Sequence, residues 1–216
     1  VKKVIIGTPI HGGEFLDFRY VDCLIRSIKE LHDIELIPVF LTGDLANARN
    51  RLVKLCIEDI KDVTDLVFID SDMAWAPGHL ARLLAYDLQN AGGPPEKNGA
   101  GAVVGGLYRK RVEQTVGVYG QRNGEKPNET GLLKVDWCGT GFLRASKEAL
   151  TMLWARAHPY TDEGTHLRGV FAYKFDGQMI SEDVFFCQAW RALGGKIFVD
   201  TAIKLGHIGP KVYTIQ

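Results

Sequence analysis

The chain has 216 residues, with 26 Lys plus Arg against 26 Asp plus Glu, zero formal charge and an isoelectric point near 7.1. That balance argues against a sequence-tolerant nucleic-acid binder, which needs a basic excess to displace counterions. At 46% apolar and 24% charged residues the chain is too apolar for disorder, and its apolar runs are far too short to span a membrane.

The start, Val1–Gly7, is too short for a signal peptide and reads as a strand. Its apolar run Val4–Ile6 is ended by Gly7-Thr8-Pro9, a buried strand running into a loop. Val21, Leu24, Ile25, Ile28 and Leu31 recur at helical spacing and predict an amphipathic helix over roughly 16–33. Leu36–Leu41 is a second strand, broken at Thr42-Gly43-Asp44, and its internal Pro38 points to an edge or a bulge. Leu45, Ala48, Leu52, Leu55 and Cys56 mark a helix ending near Lys61, and Leu66–Ile69 is a third strand with no wet face. Pro77, suited to a first helical position, opens a helix over about 77–90 that stops before Gly92-Gly93-Pro94-Pro95.

The segment 92–101 reads as a surface loop and Ala102–Gly105 as the next strand. Short β pieces follow at Thr115–Tyr119 and Leu132–Trp137, separated by a turn-rich stretch at 120–131. A helix from about Ser146 to Ala155 precedes a polar, mobile stretch over 157–180. Ser181 then caps a helix that closes at Gly194-Gly195, before a strand at Lys196–Val199. Alternating strands and helices, with strands apolar on both faces, predict an α/β fold with a mostly parallel sheet covered by helices. With no repeat and no long linker, a single domain over 1–216 is expected. Cys23, Cys56, Cys138 and Cys187 lie far apart without zinc spacing and read as buried free thiols in a reducing compartment. Asn128-Glu129-Thr130 matches a glycosylation sequon, a pattern too short to carry weight alone.

Three clusters carry candidate chemistry. Asp70-Ser71-Asp72 stands where the third strand ends, and open α/β sheets hold ligands beyond the carboxyl ends of their strands. Two carboxylates there suit a hard divalent cation bound to phosphate oxygens; a solvated turn with an N-cap aspartate is the alternative. Glu182 and Asp183 open a helix, where acids suit the dipole and where one could accept a proton from an attacking hydroxyl. His207, flanked by Gly206 and Gly209 and followed by Lys211, could complete the coordination of a metal held by the two aspartates. Arg49, in the first turns of the second helix, suits a pyrophosphate or a solvent-facing polar stripe.

Taken in order, these pieces resemble the GT-A class of nucleotide-sugar glycosyltransferases. The anchors are Gly7-Thr8-Pro9, Ala48-Arg49-Asn50, Phe68–Asp72, Val135–Phe142, Ser181–Phe186 and Gly206–Gly209. The pattern is most similar to small glycosyltransferases of large DNA viruses, of the chlorella virus type, and of phages. The resemblance implies a nucleotide-binding part at about 1–105 and a smaller, β-rich donor-sugar and acceptor part at about 106–216. It implies that Thr8 and Pro9 line the base and ribose site, with Ser71 near the ribose and Arg49 near the phosphates. Asp70, Asp72 and His207 would hold Mn2+ or Mg2+, and Lys211 would reach the phosphates. Trp137, Gly139 and Thr140 would border the donor sugar and acceptor. Asp183 would match the base of inverting members, with Glu182 beside it.

The expected donor is a UDP-sugar, on family frequency, and the expected acceptor a glycan or glycoprotein. The expected location is cytoplasmic, in the host cytoplasm if the chain is virus-encoded. The chain is short for the class, which is compatible with a minimal acceptor half or with further domains of a longer parent chain. Two other readings remain. A phosphatase or phosphotransferase of the haloacid dehalogenase type also uses D-x-D, but on its first strand and with Thr or Val where this chain has Ala74. A non-catalytic nucleotide-sugar binding module would keep the pocket without a working base.

Overall fold

A strand that is apolar on both faces needs cover on both, and the order of elements supplies it. A computed structural model describes residues 1–11, 16–90, 101–110, 119–121, 125–209 and 213–214. β1 (Lys2–His11), α1 (Phe18–Glu30), β2 (Ile34–Gly43), α2 (Leu45–Lys54) and β3 (Val63–Ile69) come first, with a π-helical turn at Leu55–Asp59 extending α2. β4 (Met73–Ala74), α3 (His79–Ala85), β5 (Ala102–Leu107), β6 (Tyr119–Gln121), β7 (Leu132–Cys138), β8 (Phe142–Ser146) and α4 (Lys147–Arg156) follow. The last part holds β9 (Pro159–Asp162), β10 (Thr165–Arg168), β11 (Lys174–Phe175), β12 (Met179–Ile180), α5 (Glu182–Ala192), β13 (Lys196–Lys204), β14 (Gly206–His207) and β15 (Tyr213–Thr214).

Eight strands form one sheet in the order β2-β1-β3-β8-β5-β13-β7-β6. The expected parallel pairing runs through β2, β1 and β3 and joins β5 to β13. β8 inserts antiparallel between β3 and β5, and β7 runs antiparallel to β13, so the sheet is mixed. Side chains alternate across each strand and feed two cores. Ile5, Leu66, Phe68 and Val103 join a core closed by Leu52 of α2, Leu150 of α4 and Trp190 of α5. Val4, Ile6, Val67 and Val104 join the opposite core, closed by Tyr20 and Leu24 of α1 and Leu80 of α3. From β1 the chain crosses one face to β2 and the other face back to β3. The strand order therefore reverses between β1 and β3, and open α/β sheets bind ligands beyond the carboxyl ends of the strands at such a point.

Pro38 lies on an edge strand, as expected, since β2 pairs with β1 alone. Gly7-Thr8-Pro9 is not a loop: β1 continues to His11 along β2. Gly7 is there for packing, because a Cβ would meet Leu52 of α2 at 2.8 Å. The third helix starts at His79 rather than Pro77, after Gly78 in a left-handed conformation whose N–H donates to Glu30. The stretch 157–180 forms two hairpins instead of a mobile tract. Glu163 and Gly164, with φ of 46° and 78°, make the two-residue turn that suits strand twist. Phe171 beyond them is buried. The expected loop at 92–101, apart from Gly101, and most of the piece at 115–119 lie outside the described residues. All four cysteines are free and buried. Asn128 of the sequon accepts bonds from Thr130 and Leu132, which gives it a turn-forming role. No helix among the described residues is long and apolar enough to cross a membrane.

A buried ion pair locks β3 to β8. Arg144 Nε donates to Asp65 Oδ1 at 2.7 Å and its Nη1 to the Tyr86 carbonyl at 2.8 Å. Burial works to raise the Asp65 carboxyl, but Arg144's charge and hydrogen bond, with Thr64's hydroxyl and the charge of Lys2, hold it below the ordinary carboxylate range. Such a group adds stability above its unfolded value, at about pH 4, and loses it as pH falls through the lower folded value. Arg144→Met should cost about 3–5 kcal/mol in urea unfolding at neutral pH, because it strands a buried charge. Asp65→Asn should show its largest deficit at neutral pH, narrowing towards the wild type below about pH 4.

Candidate active site

β3 ends at Ile69 and delivers Asp70-Ser71-Asp72 just beyond its carboxyl end, and backbone bonds hold this turn from three directions. The Asp70 N–H donates to the Gly141 carbonyl at 3.0 Å, the Met73 N–H to the Asp70 carbonyl at 3.0 Å, and the Ile208 N–H to the Asp72 carbonyl at 2.6 Å. β4 follows at once and pairs antiparallel with β14, Met73 opposite His207. That pairing brings His207 Nε2 to 3.2 Å from Asp72 Oδ2. His207 Nδ1 lies 2.8 Å from the Arg109 carbonyl oxygen. A carbonyl only accepts, so Nδ1 carries the proton, and in the neutral ring Nε2 is an acceptor. An imidazole nitrogen and a carboxylate oxygen at this distance can share a proton or a cation. Histidines that ligate metals commonly donate their other N–H to a carbonyl in this way.

Asp70 does not join the pair. Arg49 of α2, only 2% exposed, donates from Nη2 to Asp70 Oδ1 at 2.8 Å and from Nη1 to Glu182 Oε1 at 2.5 Å. Its guanidinium lies over the Phe171 ring at 5.8 Å, and Phe171 stacks on Phe186 at 4.7 Å. Burial works to lower the Arg49 pKa, but the charges of Asp70 and Glu182 outweigh it and hold it above the usual value. Of the expected ligand set, Asp72 and His207 meet directly, while Asp70 has one carboxylate oxygen, Oδ1, on Arg49. Among the described residues no three of His, Cys, Asp and Glu stand together as a metal-binding group. Arg49, expected at the phosphates, is buried between the partly exposed Asp70 and the buried Glu182.

Glu182 is buried on Arg49, while Asp183 beside it is only half-buried. Ser181 occupies the N-cap position, yet its hydroxyl goes to Asp183 Oδ1 rather than to the helix amides. The Val184 N–H donates to the same oxygen at 2.7 Å. Thr8 and Pro9 are buried in β1, with the Thr8 hydroxyl bonded to the Tyr20 phenol. Ser71 is buried within its turn, and Gly139 and Thr140 are buried between β7 and β8. The Thr140 hydroxyl has no hydrogen-bond partner among the described residues. Trp137 is half-buried against Gly120, its register partner on β6. Lys211 lies outside the described residues.

Tyr108, which the sequence reading did not name, and Asn50, which it named only within an anchor, have structural roles beside the candidate site. Tyr108, buried just past β5, accepts the Gly141 N–H at 3.0 Å and sets its ring edge-on to His207 at 5.7 Å. Burial, with the charge of Asp70, holds its phenol far above the usual value. Its place at the carboxyl end of a strand was the available signal. Asn50 clamps the Phe171 backbone, accepting its N–H at 2.8 Å and donating to its carbonyl at 2.9 Å. Nothing local in the sequence announces a bond across 121 residues.

No family model matches the chain, and no curated protein matches it either. Solved structures do. All of the chain superimposes on 95% of A197 from STIV, at 18% identity and a TM-score of 0.58. All of it also superimposes on 76% of the catalytic domain of Drosophila β1,4-galactosyltransferase 7 in complex with xylobiose, at 12% identity and a TM-score of 0.54. The fold is that of the GT-A glycosyltransferases. GalNAc-T7 with UDP, GalNAc and Mn2+ shares this fold over 96% of the chain, at 11% identity and a TM-score of 0.50, and the chain spans 44% of that protein. At these identities the likeness concerns architecture. Tyr108→Phe should leave the Gly141 N–H unsatisfied beside the Asp70 turn, lowering stability by about 1–3 kcal/mol in chemical denaturation.

Proposed function

We propose that this chain is a glycosyltransferase that moves a sugar from a nucleotide-sugar donor, foremost a UDP-sugar, to a hydroxyl of a glycan or glycoprotein with a divalent cation. The observation that carries this reading is the pair Asp72 and His207, 135 residues apart in sequence and 3.2 Å apart beyond the end of β3. Asp183 belongs to the same cluster through its neighbour Glu182 and Arg49. The Mn2+ in the GalNAc-T7 structure supports the reading by analogy of fold.

Asp72 and His207 offer one carboxylate oxygen and one imidazole nitrogen to Mn2+ or Mg2+. Sites for such cations often use few protein ligands and are completed by substrate phosphate oxygens and water. A cation held by Asp72 and His207 would supply positive charge beside a departing nucleoside diphosphate. Thr8, Pro9 and Ser71 would border the base and ribose, and Lys211 would add a positive charge at the phosphates. The Thr140 hydroxyl would turn to a hydroxyl of the donor sugar, because a buried polar group needs a partner. Gly139 and Trp137 would border the sugar and acceptor.

Asp183 acts as the base. Ser181 and Val184 hold its Oδ1, and Oδ2 takes the proton of the acceptor hydroxyl. The acceptor oxygen bonds to the anomeric carbon as the bond from that carbon to the diphosphate oxygen breaks. This reading separates the nucleotide part, at about 1–105, from the acceptor part at about 106–216.

Thermal unfolding with UDP, GDP, CMP and dTDP, each with and without Mn2+, tests the donor. UDP with Mn2+ should raise the melting temperature, by the equivalent of about 2.7 kcal/mol at a hundred times Kd. No shift with any nucleotide would remove the donor site. Asp72→Ala should abolish the Mn2+-dependent part of the shift, and calorimetry showing undiminished affinity would remove the metal role. Asp183→Asn should keep donor affinity and lose about 10²–10⁴-fold in transfer rate; retained turnover would rule Asp183 out as the base.

A further inference from the structure

We infer that Arg49 is a positioning residue that holds the cation side and the base side of this site in register, an inference that rests on the reading proposed above. Its planar fork reaches two elements that no other described ion pair joins, the turn after β3 through Asp70 and the first residue of α5 through Glu182. Asp72 follows Asp70 by two residues, and Asp183 follows Glu182 directly. Movement of either arm of the fork therefore moves a residue of the proposed chemistry. Only Oδ1 of Asp70 is engaged by Arg49, and the Asp70 side chain stays 24% exposed against 2% for Arg49. The carboxylate is anchored from within and stays partly exposed.

The fork is itself held. Phe171 packs against its face and is clamped through its backbone by Asn50, the next residue of α2. A buried triad of one cation and two carboxylates is poorly explained by stability alone, since apolar groups of the same volume pack at less cost. What the triad adds is geometry. Two donors in one rigid plane fix the separation of two carboxylates, which a lysine ammonium on a flexible stem does not do.

Glu182→Gln and Arg49→Lys test this, read by steady-state transfer, by calorimetry of UDP with Mn2+, and by melting temperature to confirm folding. Glu182→Gln keeps the volume and a hydrogen-bond acceptor but loses the charge on the α5 arm. It should lower kcat by about tenfold or more while donor KM and Mn2+–UDP affinity stay within about twofold. Arg49→Lys should satisfy one carboxylate and release the other, lowering both kcat and Mn2+–UDP affinity. Unchanged kcat and affinity in both variants, with only the melting temperature reduced, would show a purely structural triad and overturn the positioning role while the proposed function stands. A wild-type protein that neither binds UDP with Mn2+ nor transfers sugar would overturn both.

Discussion

A guanidinium with almost no access to water persists only where its charge is met at close range. Arg49 meets that condition twice, and the neighbouring architecture follows from keeping the condition satisfied. α2 lies close against β1 because Gly7 has no side chain to obstruct Leu52. Asn50 pins the chain at Phe171, whose ring covers the guanidinium and stacks on Phe186 of α5. Asp70 and Glu182 supply the counter-charges from the end of one strand and the start of one helix. Removing the charge would leave two carboxylates facing each other in a poorly solvated space, so the three residues act as one unit.

A second and much smaller interaction completes the site. β4 and β14 are two residues each, yet their pairing decides where His207 stands. With Met73 opposite His207, and the Ile208 N–H on the Asp72 carbonyl, the imidazole has little choice but to lie beside Asp72. The Arg109 carbonyl then selects the proton position on the ring, and Tyr108 sets its edge against it. Backbone bonds do the placing and side chains supply the chemistry. This division of labour suits a point where strand order reverses, because the connections from neighbouring strands leave there towards opposite faces of the sheet.

Much of the scaffold was legible in local sequence. Strands apolar on both faces called for helices on both faces, and the sheet is covered that way. Pro38 announced an edge strand, Ser146 the start of α4, and Ser181 the start of α5. Local patterns failed where a residue serves a distant neighbour. Gly7 looks like a strand breaker in one dimension and is a packing contact in three. The stretch over 157–180 looks like a solvated loop because its polar residues bond to partners on α2, through Asn50 and through Arg51 with Asp162.

The same division holds for the site. Residue type and order determined which carboxylates and which imidazole could take part, because only such groups bind cations or move protons and because strand ends place them at one edge. Which of those groups meet was decided by the tertiary structure alone. Asp72 pairs with His207, while Asp70 and Glu182 belong to Arg49, since burial makes the nearest counter-charge compulsory and only the folded chain defines what is nearest.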